Sequence, residues 1–249
     1  MNEVVELALR MGDNCLILGH RVSEWCGHGP VIEEDIAMAN VALDLIGQAQ
    51  MWLALAGELE GQGRDADALA YRRDAFDFRN LLLVERPIDD FGVTLMRQFL
   101  FDAWHKLMLE HLVRSSDARV AEIAAKAVKE VTYHLERSGD LVERLGDGTA
   151  ESRARMQAAL DALWPYVGEM FASDAIDHTL AAHAVAPAPE TLRHEWDTLT
   201  GSALRAATLD IPDSDFAHLG GRAGRHTEHL GYILADMQFL QRAYPDAQW

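Results

Sequence analysis

The sequence predicts an all-α fold, and three observations carry that prediction. Apolar residues recur at helical spacing through one segment after another, glycine, proline and capping residues punctuate the segments, and sustained strand-like alternation is absent. A length of 249 residues suffices for one large domain with a well-buried core, so a single helical domain over 1–249 is expected.

Residues 2–26 carry Val4, Leu7, Met11 and Leu18 at helical spacing and are stopped by Gly27, Gly29 and Pro30. A second helix is expected over Glu33–Ala56, with Gly57 just past its end. Gly61-Gln62-Gly63 turns the chain, 65–83 continues helical, and Pro87-Ile88-Asp89-Asp90 leads into a helix over Val93–Val113. Ser115-Ser116-Asp117 then caps a helix over Ala118–Leu145. After the Gly146-Asp147-Gly148 turn, 150–171 is helical, and Val185-Ala186-Pro187-Ala188-Pro189 is extended before a helix near 190–207. A short extended piece is expected around 206–211. The last helix starts after Gly220-Gly221-Arg222-Ala223-Gly224 and ends near Tyr244-Pro245.

Forty acidic against 22 basic residues give a net charge of −18, which argues against nucleic acid or an anionic membrane as the main partner. Cys15 and Cys26 stand eleven residues apart in one predicted helix, roughly 16 Å at helical rise and too far for a disulfide. A reducing cytoplasm fits that usage. No basic-then-apolar leader opens the chain and no apolar run approaches the ~18 residues needed to span a bilayer, so neither secretion nor membrane insertion is expected.

Several carboxylates fall in apolar surroundings. Ile123, Ala127, Glu130 and His134 follow the i, i+4, i+7, i+11 pattern, which predicts Glu130 and His134 on a buried face. Asp44 lies within Val41–Ile46 and Asp102 within Phe99–Trp104, both apolar nearly all round. A carboxylate so placed must be paired, protonated or metal-bound. In carboxylate di-iron bundles two helices each give a Glu and two others each give Glu-x-x-His. The corresponding positions here read Asp13, Asp44-Leu45-Ile46-Gly47, Asp102 and Glu130-Val131-Thr132-Tyr133, with Gly47 and Tyr133 where imidazoles would stand. That is a degenerate metal site. The competing reading is a free-standing metalloenzyme using Asp102 with His105 at i+3 and Glu130 with His134 at i+4. A buried ionic and hydrogen-bonded network is favoured, because Asp102 to His105 is the only ligand-pair spacing of that bundle type at these positions, and it carries Asp in place of Glu.

Arg225-His226-Thr227-Glu228-His229 opens the final helix, with His226 and His229 at i, i+3. The glycines before it, with Arg222 and Arg225, look like an anion-binding loop at a helix N-terminus, but no strand precedes them and no Gly-Lys-Ser or Gly-Lys-Thr follows. An interaction surface is the expected use. The tryptophans Trp25, Trp52, Trp104, Trp164 and Trp196, and the methionines Met38, Met51, Met96 and Met108, read as packing residues or interface anchors.

Asp13-Asn14-Cys15-Leu16, Glu24-Trp25-Cys26-Gly27-His28, Asp44-Leu45-Ile46-Gly47-Gln48-Ala49, Asn80-Leu81-Leu82-Leu83-Val84-Glu85, Asp102-Ala103-Trp104-His105, Tyr133-His134-Leu135, Gly224–Gly231 and the closing Ala247-Gln248-Trp249 occur in this order and spacing across nearly the whole chain. Together they resemble the C-type subunits of phenylacetyl-CoA ring-1,2-epoxidases. The resemblance implies a ferritin-like four-helix bundle with additional C-terminal helices, in a structural subunit of a bacterial multicomponent monooxygenase. It implies no cofactor in this chain: an A-type partner holds the di-iron centre and epoxidises phenylacetyl-CoA, and a reductase brings electrons from NADPH. It further implies association with that A-type partner and the other members of the complex, and a homodimer when the chain is alone. By the same resemblance the CoA arm lies near Asp77, Phe78, Arg79 and Asn80 and near His178, Thr179 and Leu180. Arg72, Arg73 and Arg79, three arginines in an acidic chain, suit phosphate oxygens. On a purely structural reading Phe78 and Leu180 are core and the arginines are surface charges.

Overall fold

The computed structural model describes residues 3–245 and 247; Asn2 at the expected helix start, and Gln248 and Trp249, lie outside the described residues. In chain order the α-helices are α1 (Glu3–Ser23), α2 (Ile32–Glu60), α3 (Ala66–Tyr71), α4 (Phe91–Leu112), α5 (Ala118–Gly146), α6 (Ala150–Leu163), α7 (Ala175–Ala182), α8 (Arg193–Ala206) and α9 (Glu228–Ala243). Among the described residues there is no strand, so the all-α expectation holds. The segment around 206–211 is a turn with Thr208 at φ 57°, because α8 closes on it through Leu209 N donating to Leu204 O at 3.0 Å. Two compact units make up the chain, Met1–Pro87 with Gly220–Trp249, and Ile88–Leu219.

The first unit is built on the antiparallel pair α1–α2. Gly12 faces Trp52 and Leu53, and Gly19 faces Leu45 and Ile46. A Cβ on Gly12 would come within 2.8 Å of Leu53, so glycine there sets how closely the two helices approach. α2 runs past its expected end: Gly57 is a buried helical residue whose missing Cβ makes room for Arg64 O, and the helix stops at Gly61, where φ is 67°. The helix expected over 65–83 breaks after Tyr71. Arg73 turns inward, 3₁₀ turns form at Ala75–Asp77 and Leu82–Glu85, and a reciprocal Asp74/Asp77 box caps the first of them. α9 packs on this segment, with Gln238 Nε2 donating to Ala70 O and Arg73 O, each at 3.0 Å.

The second unit is built on the antiparallel pair α4–α5, in which Phe99 meets Gly139 and Asp102 meets Ser138. Asp90 caps α4 through Val93 N at 3.0 Å, and Asp117 caps α5 as expected. Pro165 ends α6, so the second half of the expected 150–171 helix is a 3₁₀ run over Trp164–Phe171. α7 was not anticipated; an Asp174/Asp177 capping box starts it. α8 is held against α4 by Trp196, whose Nε1 donates to Leu100 O at 3.1 Å. Each unit thus supplies two long antiparallel helices, the component of which ferritin-like bundles are made.

Candidate functional site

In the first unit, Asp13 is fully buried and its carboxylate is spoken for. Arg73 donates to both of its oxygens, Nη1 reaching Oδ2 at 3.0 Å and Nη2 reaching Oδ1, while Arg79 N donates to Oδ2 at 2.8 Å. The same guanidinium also donates to Leu69 O and to Asp77 O, the latter at 3.1 Å, and lies over the Phe78 ring, 4.2 Å from its centroid. Beside it, Arg10 Nε donates to buried Glu6 at 3.0 Å and Cys15 Sγ to Gln48 Oε1 at 3.7 Å. A guanidinium therefore occupies the place at Asp13 that a cation would need.

The remaining candidate acids do not gather around a metal either. Asp44 and Glu130 are half-exposed rather than buried, and Gly47 and Tyr133 face outward. The register expected for the degenerate site is therefore wrong on α2 and α5: the inward residues are Leu45, Gln48 and Ala49 on α2, and Val131, His134, Leu135 and Ser138 on α5. Among the described residues no group of three or more His, Cys, Asp and Glu side chains is placed to hold a metal ion.

The second unit holds a different buried cluster. Gln98 Nε2 donates to Asp102 Oδ1 at 2.6 Å and Ser138 Oγ to Asp102 Oδ2 at 3.2 Å. Burial pushes the Asp102 carboxyl well above the usual carboxylate range, and these two hydrogen bonds with the Arg137 charge only partly oppose it. One turn on, His105 is equally buried; desolvation, with a smaller push from His134, lowers it to about 3. Burial thus favours the protonated form of Asp102 and leaves the His105 imidazole uncharged at pH 7. Phe101 and Trp104 flank His105, with ring centroids 5.1 and 6.3 Å away.

The residues expected near a CoA arm divide by exposure. Phe78 and Asn80 are buried, Asn80 Nδ2 donating to Leu81 O, and Arg79 Nη1 donates to Phe76 O and Phe78 O at 2.9 Å; Asp77 is exposed. In the second unit Leu180 is buried, Thr179 Oγ1 donates to Ala175 O, and exposed His178 lies 3.9 Å from Glu190. A cleft of about 390 Å³ beside Asp77 and Arg79 also contains Arg64 and Arg73, but Arg64 is bound by Glu60 at 2.6 and 2.7 Å. Arginines in this cleft are paired within the protein, which removes Arg73 from the expected phosphate-binding trio.

The glycine loop before α9 serves close packing. Cβ atoms on Gly221 and Gly224 would lie 2.2 and 2.3 Å from Asn80 O and Phe76 O. His226 is fixed between Phe78 O, 3.1 Å from Nε2, and the Glu85 carboxylate, 3.4 Å from Nδ1, while Thr227 N donates to Glu85 at 3.0 Å. His226 thus holds the loop rather than pairing with His229.

One feature escaped the sequence reading. The outward face of α2 carries an apolar stripe, interrupted by exposed Asn40: Ile32, Ile36, Leu43 and Ile46 are 38–67% exposed, and nothing stands within 4 Å of the Cβ position at Gly47. The signal was present in the all-round apolar pattern of Val41–Ile46, which has two apolar faces and not one.

Residues 1–249 match the family described as phenylacetic acid catabolic protein. The chain is also 47% identical over 249 residues, covering 100% of both proteins, to the C subunit of the 1,2-phenylacetyl-CoA epoxidase of Escherichia coli (strain K12). The chain belongs to the phenylacetic acid catabolic protein family. That membership agrees with the resemblance carried by the motifs around Asp13, Asp102 and Gly224. The most buried of those segments prove to be structural in this family member: Asp13 and Asn14 tie α1 to the 79–81 segment, with Leu81 N donating to Asn14 Oδ1 at 2.8 Å.

Proposed function

We propose that this chain is the non-catalytic, structural C-type subunit of a phenylacetyl-CoA 1,2-epoxidase complex, supporting a di-iron A-type subunit. The apolar stripe on α2 carries the reading. Its large exposed side chains run from Ile32 to Ile46, about 21 Å at about 1.5 Å per residue, and an exposed apolar stretch of that length supports a partner there. Gly47 at its end leaves room for a partner helix to approach closely. The Arg73 guanidinium on Asp13 supports a role without a metal in this chain, and no specific observation favours the free-standing metalloenzyme.

On this reading each unit, taken by itself, offers candidate contacts to a CoA thioester: Asp77–Asn80 in the first and His178–Leu180 in the second. The exposed His178 side chain is open to ligand and Asp77 is exposed while its carboxylate accepts from Asp74 N, whereas Phe78, Asn80 and Leu180 are buried behind them. No helix among the described residues is long and apolar enough to cross a membrane, and Cys15 and Cys26 are free thiols, in keeping with a cytoplasmic complex.

The test is copurification. The chain alone, from iron-supplemented cells, is expected to be iron-free, and coexpression with an A-type subunit is expected to give a complex that holds iron and turns over phenylacetyl-CoA. Leu43→Glu should leave the fold intact and weaken that complex at least tenfold, a loss of about 1.4 kcal/mol. Stoichiometric iron in the lone chain, or undiminished association of the Leu43→Glu chain, would overturn the proposal.

A further inference from the structure

The turn between α5 and α6 carries a chemistry that the helices on either side of it do not. Asp147-Gly148 is the one place in the chain where aspartate precedes glycine, and asparagine precedes glycine nowhere. In such a pair the backbone nitrogen of the second residue can attack the side-chain carboxyl carbon of the first, and a glycine puts no side chain in the way. Glycine stands at 148 for a packing reason: a Cβ there would lie 2.8 Å from Arg144 O and 2.9 Å from Ser152 Oγ.

The geometry at the pair leaves the attack open. Asp147 and Gly148 are both exposed. Asp147 N is still held by α5, donating to Glu143 O at 2.9 Å, but the peptide unit that follows is held by nothing. Among the described residues Asp147 O accepts no hydrogen bond, Gly148 N donates none, and the Asp147 carboxylate has no partner. At φ −90° and ψ 16° Asp147 has left the helical well, so rotating its carboxyl and the next amide towards each other breaks no hydrogen bond. Asp213-Ser214, also exposed, offers the next-smallest neighbour, and there a serine side chain stands beside the attacking nitrogen.

We propose that Asp147 is the site of isoaspartate formation in this chain, and the residue on which an isoaspartyl methyltransferase would act. Gly148 N bonds to Asp147 Cγ, the amide proton and the carboxyl hydroxyl leave as water, and a cyclic succinimide results. Water then opens the ring at one of its two carbonyls. Opening at Cγ restores aspartate; opening at the main-chain carbonyl leaves a chain that runs through Cγ and is longer by one methylene. No electrons are exchanged. The methyltransferase would move the methyl group of S-adenosylmethionine onto the freed α-carboxylate, after which Gly148 N displaces methanol and the succinimide forms again.

The added methylene falls where the turn has no slack. On one side Gly146 packs on Ala207, where a Cβ would lie 2.4 Å from Ala207 O, and Gly146 O accepts from Thr208 Oγ1 at 3.3 Å. On the other, Thr149 N donates to Ser152 Oγ at 3.0 Å and Ser152 N to Thr149 Oγ1 at 3.1 Å, the box that starts α6. Arg153, the next residue, donates to Thr208 O from Nε at 2.9 Å and from Nη2 at 2.7 Å. Isomerisation at 147 therefore loosens the start of α6 and its clasp on Thr208 together.

The full chain, aged in warm near-neutral buffer, tests this. Methyl acceptance from labelled S-adenosylmethionine in the presence of purified isoaspartyl methyltransferase should rise with age. Fragmentation of the tryptic peptide 145–153, which holds no other aspartate, should place the isomer at 147. Asp147→Glu should lose most of that acceptance with unchanged circular dichroism, because its side chain would have to close a larger ring. Asp147→Asn should gain acceptance faster than the parent, since ammonia leaves more readily than water. Amide exchange at Thr149 and Ser152 should be faster in the aged chain than in the fresh one. A synthetic 145–153 peptide, aged alongside, gives the rate without the fold. If the peptide isomerises and the chain does not, the folded turn forbids the attack and the proposal falls. Undiminished acceptance in Asp147→Glu, or an isomer found at Asp213 and not at Asp147, would overturn it as well, and unchanged exchange in the isomerised chain would overturn the loosening of α6.

Discussion

The helix pairs α1–α2 and α4–α5 bury carboxylates in opposite ways and present opposite faces outward. In α1–α2, Asp13 and Glu6 are ion-paired with Arg73 and Arg10. In α4–α5, Asp102 has no cation at hydrogen-bond distance: Gln98 and Ser138 donate to it, and burial raises its carboxyl well above the usual range. Outside, α2 offers Ile32, Ile36, Leu43 and Ile46, while α5 offers Glu122, Lys126, Lys129, Tyr133 and Glu136. A pair of helices that keeps its inner charges compensated has a pinned backbone, since each ion pair fixes geometry across segments. That suits the proposal that the other face of this hairpin meets a partner.

The comparison breaks most severely at Arg73. Arg73→Met leaves Asp13 buried with only the Arg79 N–H beside it, and the expected cost is about 3–5 kcal/mol, read as a fall in the midpoint of urea unfolding. Adding Asp13→Leu to that variant should recover much of the loss, because an uncharged pair no longer has to be desolvated. If Arg73→Met alone costs less than about 1 kcal/mol, the two pairs do not differ as described.

The buried Asp102–His105 cluster makes a prediction in pH. His105 titrates near 6.5 unfolded and at about 3 folded, so the unfolded chain takes up a proton first. Stability from this group is present above pH 6.5 and is lost as the pH falls from 6.5 towards 3. Asp102 has the opposite sign: its folded value lies above 3.8, so its contribution is complete below pH 3.8 and is lost as the pH rises through the folded value. Asp102→Asn should therefore be tolerated or stabilising at pH 7, with Ser138 Oγ turning from donor to acceptor. His105→Gln should flatten the acid limb between pH 6.5 and 3. His20, also lowered by burial, adds to that limb in both proteins, so the difference between them isolates His105. Chemical denaturation across pH 3–8 measures all of this; an Asp102→Asn chain that is less stable at pH 7 than at pH 4, relative to the parent, would refute the raised carboxyl.

The same contrast explains what could be read in the sequence. Both pairs were legible as helices because glycine, proline and the Asp117 cap bracket long apolar-rich runs. The break after Tyr71 was not, because its cause is Asp13, some sixty residues earlier in the chain, drawing Arg73 inward. The Asp174-x-x-Asp177 box that starts α7 was in plain view. On α2 the inward face could not be told from the outward one, since a helix that buries one face in its own core and offers another to a partner is apolar on both; Asp44 and Gly47 were consequently placed inside. On α5 the periodic apolar pattern marked His134 correctly but took in Glu130, one turn away and half-exposed.

The smallest effect is the most specific. Tyr133 and Leu43 are both large, exposed and on long helices, at 53% and 66% exposure. If α5 faces water and α2 faces a partner, Tyr133→Lys should change stability by no more than about 0.5 kcal/mol and leave association with an A-type chain unchanged. Leu43→Lys should match it in stability and differ only in association. Surface-immobilised A-type chain, titrated with each variant, separates them: equal affinities would mean that the apolar character of α2 is incidental. Weaker binding of Tyr133→Lys than of Leu43→Lys would exchange the roles of the two helices, because a partner that reads α5 must tolerate the charged residues around Tyr133, whereas one that reads α2 need only bury what water already disfavours.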